Sequence, residues 1–341
     1  MEQYVGLDVS LKETAICVVD GSGAVVREGK VASEVGAIAD YVERHAPWVR
    51  LIGLETGQLA TWLVHGLRGR GLAVVCICAR AAKAFLKEMI NKTDRNDARA
   101  IARLMRIGMY KPVHVKSLET HAQRALLIGR GLLVKQRRDL ENQLRGLFKT
   151  FGLKLGPGTG GRFELRVREL SAQEAMLQAV VEPLLAVRAS LCTQIAEIER
   201  SLRQSARRDP VCRLLMTADG VGVITALAFK HTIEDPHRFR RSSSVGAYLG
   251  LTVRRFQSGE VDYSGRISKC GDSLMRSLAY EAAGVILTRC TKPSALKAWG
   301  LRLAKKIGAK KAKIAVARKL TVILHRMWLD GATFRRAGEA A

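Results

Sequence analysis

Three extended apolar runs open the chain, at residues 3–9, 14–20 and 24–31, and the tight turn Asp20-Gly21-Ser22-Gly23 joins the second to the third. Their enrichment in Val and Ile gives strands, and the turn makes the second and third a hairpin. The pattern then switches. A helical stretch over 34–46 leads to the short strand Leu51-Ile52-Gly53-Leu54, and a second helix over 58–69 leads to a strand over 72–78. Alternation of this kind builds a layered α/β domain.

Three opening strands followed by that alternation resemble the order of ribonuclease-H-like and RuvC-like domains. A further helix is predicted from Asp94 to Met105, which makes Asp94 and Asp97 i and i+3 neighbours on one face. From Leu118 the period changes. Leu118, Ala122, Ala125, Gly129, Leu132, Gln136, Leu140, Gln143 and Leu147 keep a 3-4 spacing. The breaker Gly156-Pro157-Gly158-Thr159-Gly160-Gly161 interrupts it, and Leu184, Val187, Leu191, Ile195, Ile198 and Leu202 resume it. An antiparallel helical hairpin and a dimerising coiled coil share this period, and both readings stay open. Next, two apolar helical segments joined through Gly220-Val221-Gly222 resemble a helix-hairpin-helix, whose small turn admits a DNA phosphate to backbone N–H groups. The expected organisation is an α/β domain over 1–112, a helical coiled-coil hairpin over 113–207 and a mainly α C-terminal domain over 208–335.

Four acids occupy telling places. Asp8 closes the run Val5-Gly6-Leu7, Glu55 follows Leu54, and Asp94 and Asp97 lie in Lys92-Thr93-Asp94-Arg95-Asn96-Asp97-Ala98. Singly, each has an ordinary explanation as a turn acid, a cap or a first-turn residue favoured by a helix dipole. Their conjunction points elsewhere. A carboxylate among apolar strand neighbours is costly to bury without a cation or partner. Hard divalent cations take clustered carboxylate oxygens, and in two-metal phosphodiester chemistry they clamp the attacking and leaving oxygens. The four acids are therefore candidate ligands for Mg²⁺ or Mn²⁺ in an enzyme that cuts or rejoins DNA.

The charge fits a polyanionic substrate. Net charge is +26. Residues 1–110 carry 15 basic and 12 acidic side chains, 111–208 carry 18 and 9, and 209–341 carry 24 and 10. Phosphate contacts are thus expected mostly beyond residue 110. The last helical region, 296–328, concentrates Lys305, Lys306, Lys310, Lys311 and Lys313 beside an apolar face of Leu301, Ile307, Ile314, Val316 and Leu320. Aromatic residues make up only 5% of the chain, so extensive base stacking is not indicated. The cysteines have no zinc spacing, and Cys76 and Cys78 read as small core residues. No signal-like start and no apolar stretch of membrane-spanning length are evident, so a cytoplasmic, reduced protein with no membrane partner is expected.

Downstream, Arg254-Arg255-Phe256-Gln257-Ser258-Gly259 precedes Ser264-Gly265-Arg266-Ile267-Ser268-Lys269. A Ser beside Gly in a cationic loop suits a nucleophile on a phosphodiester. It equally suits a loop that contacts phosphate through hydroxyl donors, and by chemistry alone the second reading leads.

Together these motifs resemble the DEDD-type insertion-sequence transposases, the insertion-sequence "one-ten" family of RNA-guided recombinases, over nearly the whole chain. The motifs that carry it are Gly6-Leu7-Asp8-Val9-Ser10, the Lys92–Ala98 run, and the block from Val245 to Thr252 through Gln257-Ser258-Gly259 to Gly265-Arg266-Ile267-Ser268-Lys269. The resemblance implies a RuvC-like domain in which Asp8, Glu55, Asp94 and Asp97 bind Mg²⁺. It also implies a coiled-coil insertion and a C-terminal domain with a serine nucleophile. The Ser-Gly match puts that nucleophile at Ser258, with Ser264 and Ser268 as neighbouring candidates. A covalent phosphoserine link to DNA with a free 3′-hydroxyl is implied, and so is a structured non-coding RNA that pairs with donor and target DNA. Arg254, Arg255, Arg266 and Lys269 would then stabilise developing charge. The coiled-coil period suggests a dimer or tetramer, and the resemblance implies a bacterial, nucleoid-associated protein. One departure stands out: Ala218-Asp219 precedes Gly220, where relatives often carry Pro.

Two other readings use the same residues. A nuclease of the Holliday-junction-resolvase kind would use the acids with water as nucleophile and form nothing covalent. An inactive nucleic-acid-binding protein would keep the charge without metal dependence. A DDE transposase fits less well, because its third acid usually lies far downstream, whereas Asp94 and Asp97 are three residues apart.

Overall fold

Alternating apolar residues set three strands, β1 (Gln3–Val9), β2 (Glu13–Asp20) and β3 (Val25–Ala32), paired antiparallel in that order in a computed structural model that describes residues 2–86, 93–158 and 160–335. Lys92, at the head of the acid-bearing run, lies outside the described residues. The β2–β3 turn is tied by the Asp20 carboxylate, which accepts from the backbone N–H of Ser22, Gly23 and Ala24 at 2.9–3.0 Å. Helix α1 (Val35–His45) then leads to β4 (Val49–Glu55), and α2 (Ala60–Gly69) leads to β5 (Val74–Ile77). These two strands pair parallel, β4 against β1 and β5 against β4, completing a mixed sheet of order β3-β2-β1-β4-β5. This is a mixed α/β unit consistent with the expected ribonuclease-H-like arrangement. It also contains a short helix that the sequence pattern did not mark, α3 (Ala79–Leu86), directly after β5. Cys76 is buried as expected, but Cys78 lies past the strand end and is only half-buried.

The sheet is covered on both faces. One face packs Val5, Leu7, Ile16, Val18 and Leu54 against Ile38 and Val42 of α1 and Leu63 and Leu67 of α2. Against the other lies α4 (Asp94–Ile107), whose Ala98 and Ala102 join Ala15, Cys17 and Val19. That packing is unusually close. A Cβ on Gly6 would stand 2.1 Å from the Ala98 carbonyl oxygen and 2.4 Å from the Ala102 nitrogen. A Cβ on Gly53, the partner of Gly6 in β4, would meet Met105 at 2.5 Å. Two paired glycines therefore let the helix rest on the strand backbone.

The chain divides into two compact units, Met1–Ser117 and Leu118–Ala341. Before leaving the first, it runs back along β5, where Val113 donates to the Cys76 carbonyl at 2.8 Å. The second unit opens with a helical hairpin of α5 (Leu118–Thr150) and α7 (Ala175–Arg208), with α6 (Gly161–Ser171) between them in sequence. The two long helices pack on each other within one chain, so part of the repeating apolar seam is intramolecular. Leu144, Phe148, Phe163, Val181 and Leu185 form its core. None of these five belongs to the predicted series, of which Ile195 and Leu202 are buried whereas Leu118, Leu132 and Val187 are exposed.

Contrary to the sequence expectation, α7 is long and apolar enough to cross a membrane by length and composition. In this unit it packs on α5, and its buried Arg188 donates from Nε to Glu141 at 2.9 Å and from Nη2 to the Gly160 carbonyl at 3.1 Å. A second tie joins Arg130 of α5 to Glu199 of α7 at 2.7 Å.

The remaining helices are α8 (Pro210–Leu215), α9 (Val223–Ile233), α10 (Ser243–Tyr248), α11 (Ser273–Thr288), α12 (Ala295–Ile307) and α13 (Ala309–Asp330). Helix α9 is apolar all round, and Ala226, Leu227, Ala228 and Phe229 are all buried in the core that α11 and α13 share. A two-stranded antiparallel ribbon, β6 (Val253–Ser258) and β7 (Val261–Ile267), stands between α10 and α11 in sequence.

Substituting Gly6→Ala should force α4 off the sheet and cost about 3 kcal/mol. Gly146→Ala, in open space on α5, should instead stabilise by about 0.5–1 kcal/mol. Thermal unfolding of the two variants should therefore shift in opposite directions, and an unmoved Gly6→Ala midpoint would refute the close seat of α4.

Candidate catalytic site

The parallel half of the sheet brings two of the acids together. Leu7 of β1 pairs with Leu54 of β4, so the next residues, Asp8 and Glu55, end neighbouring strands that lie about 4.8 Å apart. Both line one open cleft of about 240 Å³, walled by Ser10, Leu11 and the 56–60 segment. Alternation puts Asp8 on the face of Gly6 and Glu55 on that of Gly53, the face that α4 covers.

The other two acids belong to the first turn of α4. Thr93 caps this helix, its hydroxyl accepting from the Asn96 N–H at 3.2 Å. A row across the sheet sets their level. Asp8 pairs with Ala15, Ala15 pairs with Lys30, and the Lys30 ammonium donates to Asp94 at 3.0 Å. That bond, joined by the fields of Asp94, Glu13 and Asp8, raises the Lys30 pKa. Asp94 thus stands at the level of Asp8, although it is 62% exposed. Asp97, one turn further and half-buried, donates its backbone N–H to the Thr93 carbonyl at 2.9 Å.

Among the described residues no three acid, His or Cys side chains converge as a closed metal cage. The donor set still fits a hard cation. Asp8 and Glu55 offer carboxylate oxygens to a shared open cleft, and Mg²⁺ is commonly held by one or two carboxylates with water and substrate phosphate completing its shell.

Sequence reasoning missed the residues that hold α4 in place. Glu28 of β3 accepts from Arg95 at 2.5 Å and from Arg99 Nη2 at 2.9 Å. These guanidinium groups, Arg99 foremost, hold its carboxyl down to about 2 against partial burial. The signal was present in β3 as Glu28 and Lys30, opposite charges two apart and therefore on one strand face. Their partners across 60 or more residues were not readable from local pattern.

In the second unit, Ser258 ends β6 and is exposed. Arg254 and Arg266 are exposed at the other end of the ribbon, with Arg254 donating to the Ser268 carbonyl at 3.3 Å. Arg255 is already engaged. It donates to both carboxylate oxygens of Asp262 across the ribbon, at 2.8 and 2.5 Å, which raises its own pKa and lowers that of Asp262. Lys269 is exposed at φ +53°, and its N–H donates to the Gly250 carbonyl at 3.1 Å. Ser264 is exposed on β7, and Ser268 is half-buried.

The last helical region is two helices. Gly308, at φ +83°, breaks it. Lys305 and Lys306 end α12, and Lys310, Lys311 and Lys313 begin α13, so the five lysines flank one turn. Val316 and Leu320 are buried as expected, whereas Leu301 and Ile307 are exposed. The turn before α9 joins it to α8 through Gly220-Val221-Gly222. A Cβ on Gly220 would stand 2.6 Å from the Ala282 carbonyl, so close packing on α11 explains this glycine, and Gly222 alone opens to space.

Comparison with known proteins follows these divisions. A family model described as "Transposase", of the DEDD IS110 kind, matches residues 5–152 and so spans all four acids. A second, described as "Transposase IS116/IS110/IS902 family", matches residues 212–299 and spans Ser258. The transposase for insertion sequence element IS1111A of Coxiella burnetii is 28% identical over 98% of this chain and 91% of its own length. A probable family 20 transposase of Pseudomonas aeruginosa is 29% identical over 94% and 95%. The transposase for element IS1328 of Yersinia enterocolitica is 28% identical over 70% and 71%.

The Glu28 pair gives a pH signature. With its carboxyl at about 2 in the fold against an ordinary 4.5, its contribution is fully present above about pH 5 and fades as pH falls toward 2. Thermal midpoints should fall more steeply for the native chain than for Glu28→Gln across that window, and parallel curves would show that the pair does not hold α4.

Proposed function

Because the chain belongs to the IS116/IS110/IS902 family of transposases, we propose that this DNA transposase works by serine recombination, with Ser258 as nucleophile and the acids Asp8, Glu55, Asp94 and Asp97 as its divalent-metal site. The observation that carries the reading is the pair Asp8 and Glu55 at one open cleft. Asp8 and Glu55 end adjacent parallel strands at one cleft, and Lys30 ties Asp94 to the same level. Carboxyl ends of parallel strands are where open α/β sheets bind ligands.

In this reading Mg²⁺ or Mn²⁺, when bound, neutralises the scissile phosphate. Asp8, Glu55, Asp94 and Asp97 would hold the ion. The Ser258 hydroxyl oxygen attacks phosphorus and gives up its proton. The bond from phosphorus to the 3′ oxygen breaks, and that oxygen leaves as a free 3′-hydroxyl while the 5′ phosphate stays on Ser258. Reversal with an exchanged 3′-hydroxyl rejoins DNA. Arg254, Arg266 and Lys269 offset charge on the transition state, and Arg255 joins them by exchanging Asp262 for phosphate. The acids and Ser258 belong to different units of the chain, and the exposed part of the α5–α7 seam supports a dimer or tetramer that brings them together. A structured non-coding RNA guides the choice of DNA, and the lysines around Gly308 hold backbone phosphates. The work is then divided among residues 1–112, 113–207 and 208–335, at the bacterial nucleoid.

A denaturing gel of the protein with junction DNA, Mg²⁺ and flanking RNA tests the chemistry. A protein–DNA adduct should form, fall by at least about 10³-fold in Ser258→Ala and by about 10²-fold or more in Asp8→Asn. Cleavage without an adduct, insensitive to Ser258→Ala, would mean a resolvase-like nuclease that uses water. Separately, Lys310→Ala with Lys311→Ala should weaken binding to all sequences alike and lower the slope of log K against log salt by roughly 0.9 per lost contact. An unchanged slope would remove these lysines from the DNA surface.

A further inference from the structure

The two faces of the β6–β7 ribbon differ in chemistry. Phe256 pairs with Tyr263 and Ser258 with Val261, so alternation places Phe256, Ser258 and Tyr263 on one face. The two rings stack there, with centroids 4.9 Å apart and planes 19° from parallel. A Cβ on Gly265 would stand 3.3 Å from the Phe256 ring, so this ring lies over the bare glycine backbone. Arg255 and Asp262 tie the other face to itself.

Both rings are exposed, Phe256 to 46% and Tyr263 to 56%. They are not members of the core that the surrounding helices share. The ribbon's base, however, is fixed. Ser268 donates to the Thr252 carbonyl at 2.8 Å, and a Cβ on Gly271 would stand 2.2 Å from the Tyr248 carbonyl. Asp272 caps α11 and is held by Arg124 of α5. A stacked aromatic pair with its outer surfaces exposed is thus presented on a fixed base near exposed Arg254, Arg266 and Lys269. Aromatic faces interleaved with cations are the pattern by which proteins hold unpaired bases.

We propose that the Phe256–Tyr263 stack is a nucleobase platform, which takes a base beside the cleaved phosphodiester out of its helical stack and so presents the phosphate to Ser258. The proposal rests on the Ser258 reading. Ser258 and Phe256 are two residues apart, roughly 7 Å along a strand, about two steps of DNA at 3.4 Å each. The base held is therefore within about two nucleotides of the cut. Flexible or already unpaired steps unstack at least cost, so the platform favours them at the junction without reading base edges.

The test uses the full chain with junction DNA carrying 5-iododeoxyuridine at single positions either side of the cut, irradiated, digested and mapped by mass spectrometry. A crosslink to Phe256 or Tyr263 is expected from a position within two nucleotides of the cut. The double variant Phe256→Leu, Tyr263→Leu should lose that crosslink and slow adduct formation roughly 5- to 100-fold, with an unchanged thermal midpoint. The swap Phe256→Tyr, Tyr263→Phe should retain both. Crosslinks only outside the ribbon, or an adduct rate unmoved in the double Leu variant while Ser258→Ala abolishes the adduct, would overturn the platform. Loss of oligomer in the double Leu variant without any ribbon crosslink would overturn it in favour of a protein contact. A ribbon crosslink in a native chain that forms no adduct would keep the platform and refute the Ser258 chemistry alone.

Discussion

The contact on which the first unit depends is the seat of α4 against the backbone of β1 and β4. Gly6 and Gly53 pair across those strands and leave no side chain in the way, so the helix rests on the sheet instead of standing off by the width of a side chain. That closeness has a chemical consequence. Asp8 and Glu55 lie two residues beyond these glycines on the same face, and Asp94 and Asp97 lie one turn before the helical residues that touch Gly6. A bulkier strand would lift the first turn of α4 and separate the two pairs of acids. The glycines therefore set how near the first turn of α4 comes to Asp8 and Glu55.

What orients α4 is electrostatic. Like charges gathered at a strand edge repel, and β3 answers with Lys30 on Asp94 while Glu28 engages Arg95 and Arg99. The lysine offsets the charge of Asp94, and the glutamate engages two arginines of α4. Arg255 and Asp262 on the ribbon make a similar arrangement in the second unit. Their exposed pair contributes little to stability, but it holds a guanidinium in the planar, two-oxygen geometry in which it also takes phosphate.

The first unit was largely legible because its strands and helices are set by local apolar periods, and tight turns left few ways to connect them. The places of Asp8 and Glu55 on neighbouring strands and of Asp94 and Asp97 in the first turn of a helix were legible because each sits at a pattern boundary. The unread parts all depend on contacts between segments far apart in sequence. Helix α3 is short and follows β5 directly, so no period announces it. Gly220 looked like a phosphate turn, since a glycine needed for packing on Ala282 of α11 is written identically to one that admits a ligand. Leu301 and Ile307 continued an apolar face in a helix assumed unbroken, and Gly308 turned that face to solvent. The seam of α5 and α7 was ambiguous for a physical reason: one period serves partners in the same chain and in another.

The turn at Gly308 gathers charge that does not serve local stability. Helix α13 begins at this glycine without a side-chain cap and without an acid in its first turn. Lys310, Lys311 and Lys313 occupy that turn, where each cation opposes the helix dipole by about 0.3–1 kcal/mol. Lys305 and Lys306, on the favourable end of α12, lie just before the same turn. Local stability would be better served by a serine cap and acids. Bare N–H groups beside five ammonium groups are unfavourable for an isolated helix and favourable for a phosphate backbone, which satisfies both at once. Such a turn suits a polyanion, as does the +26 charge of the whole chain.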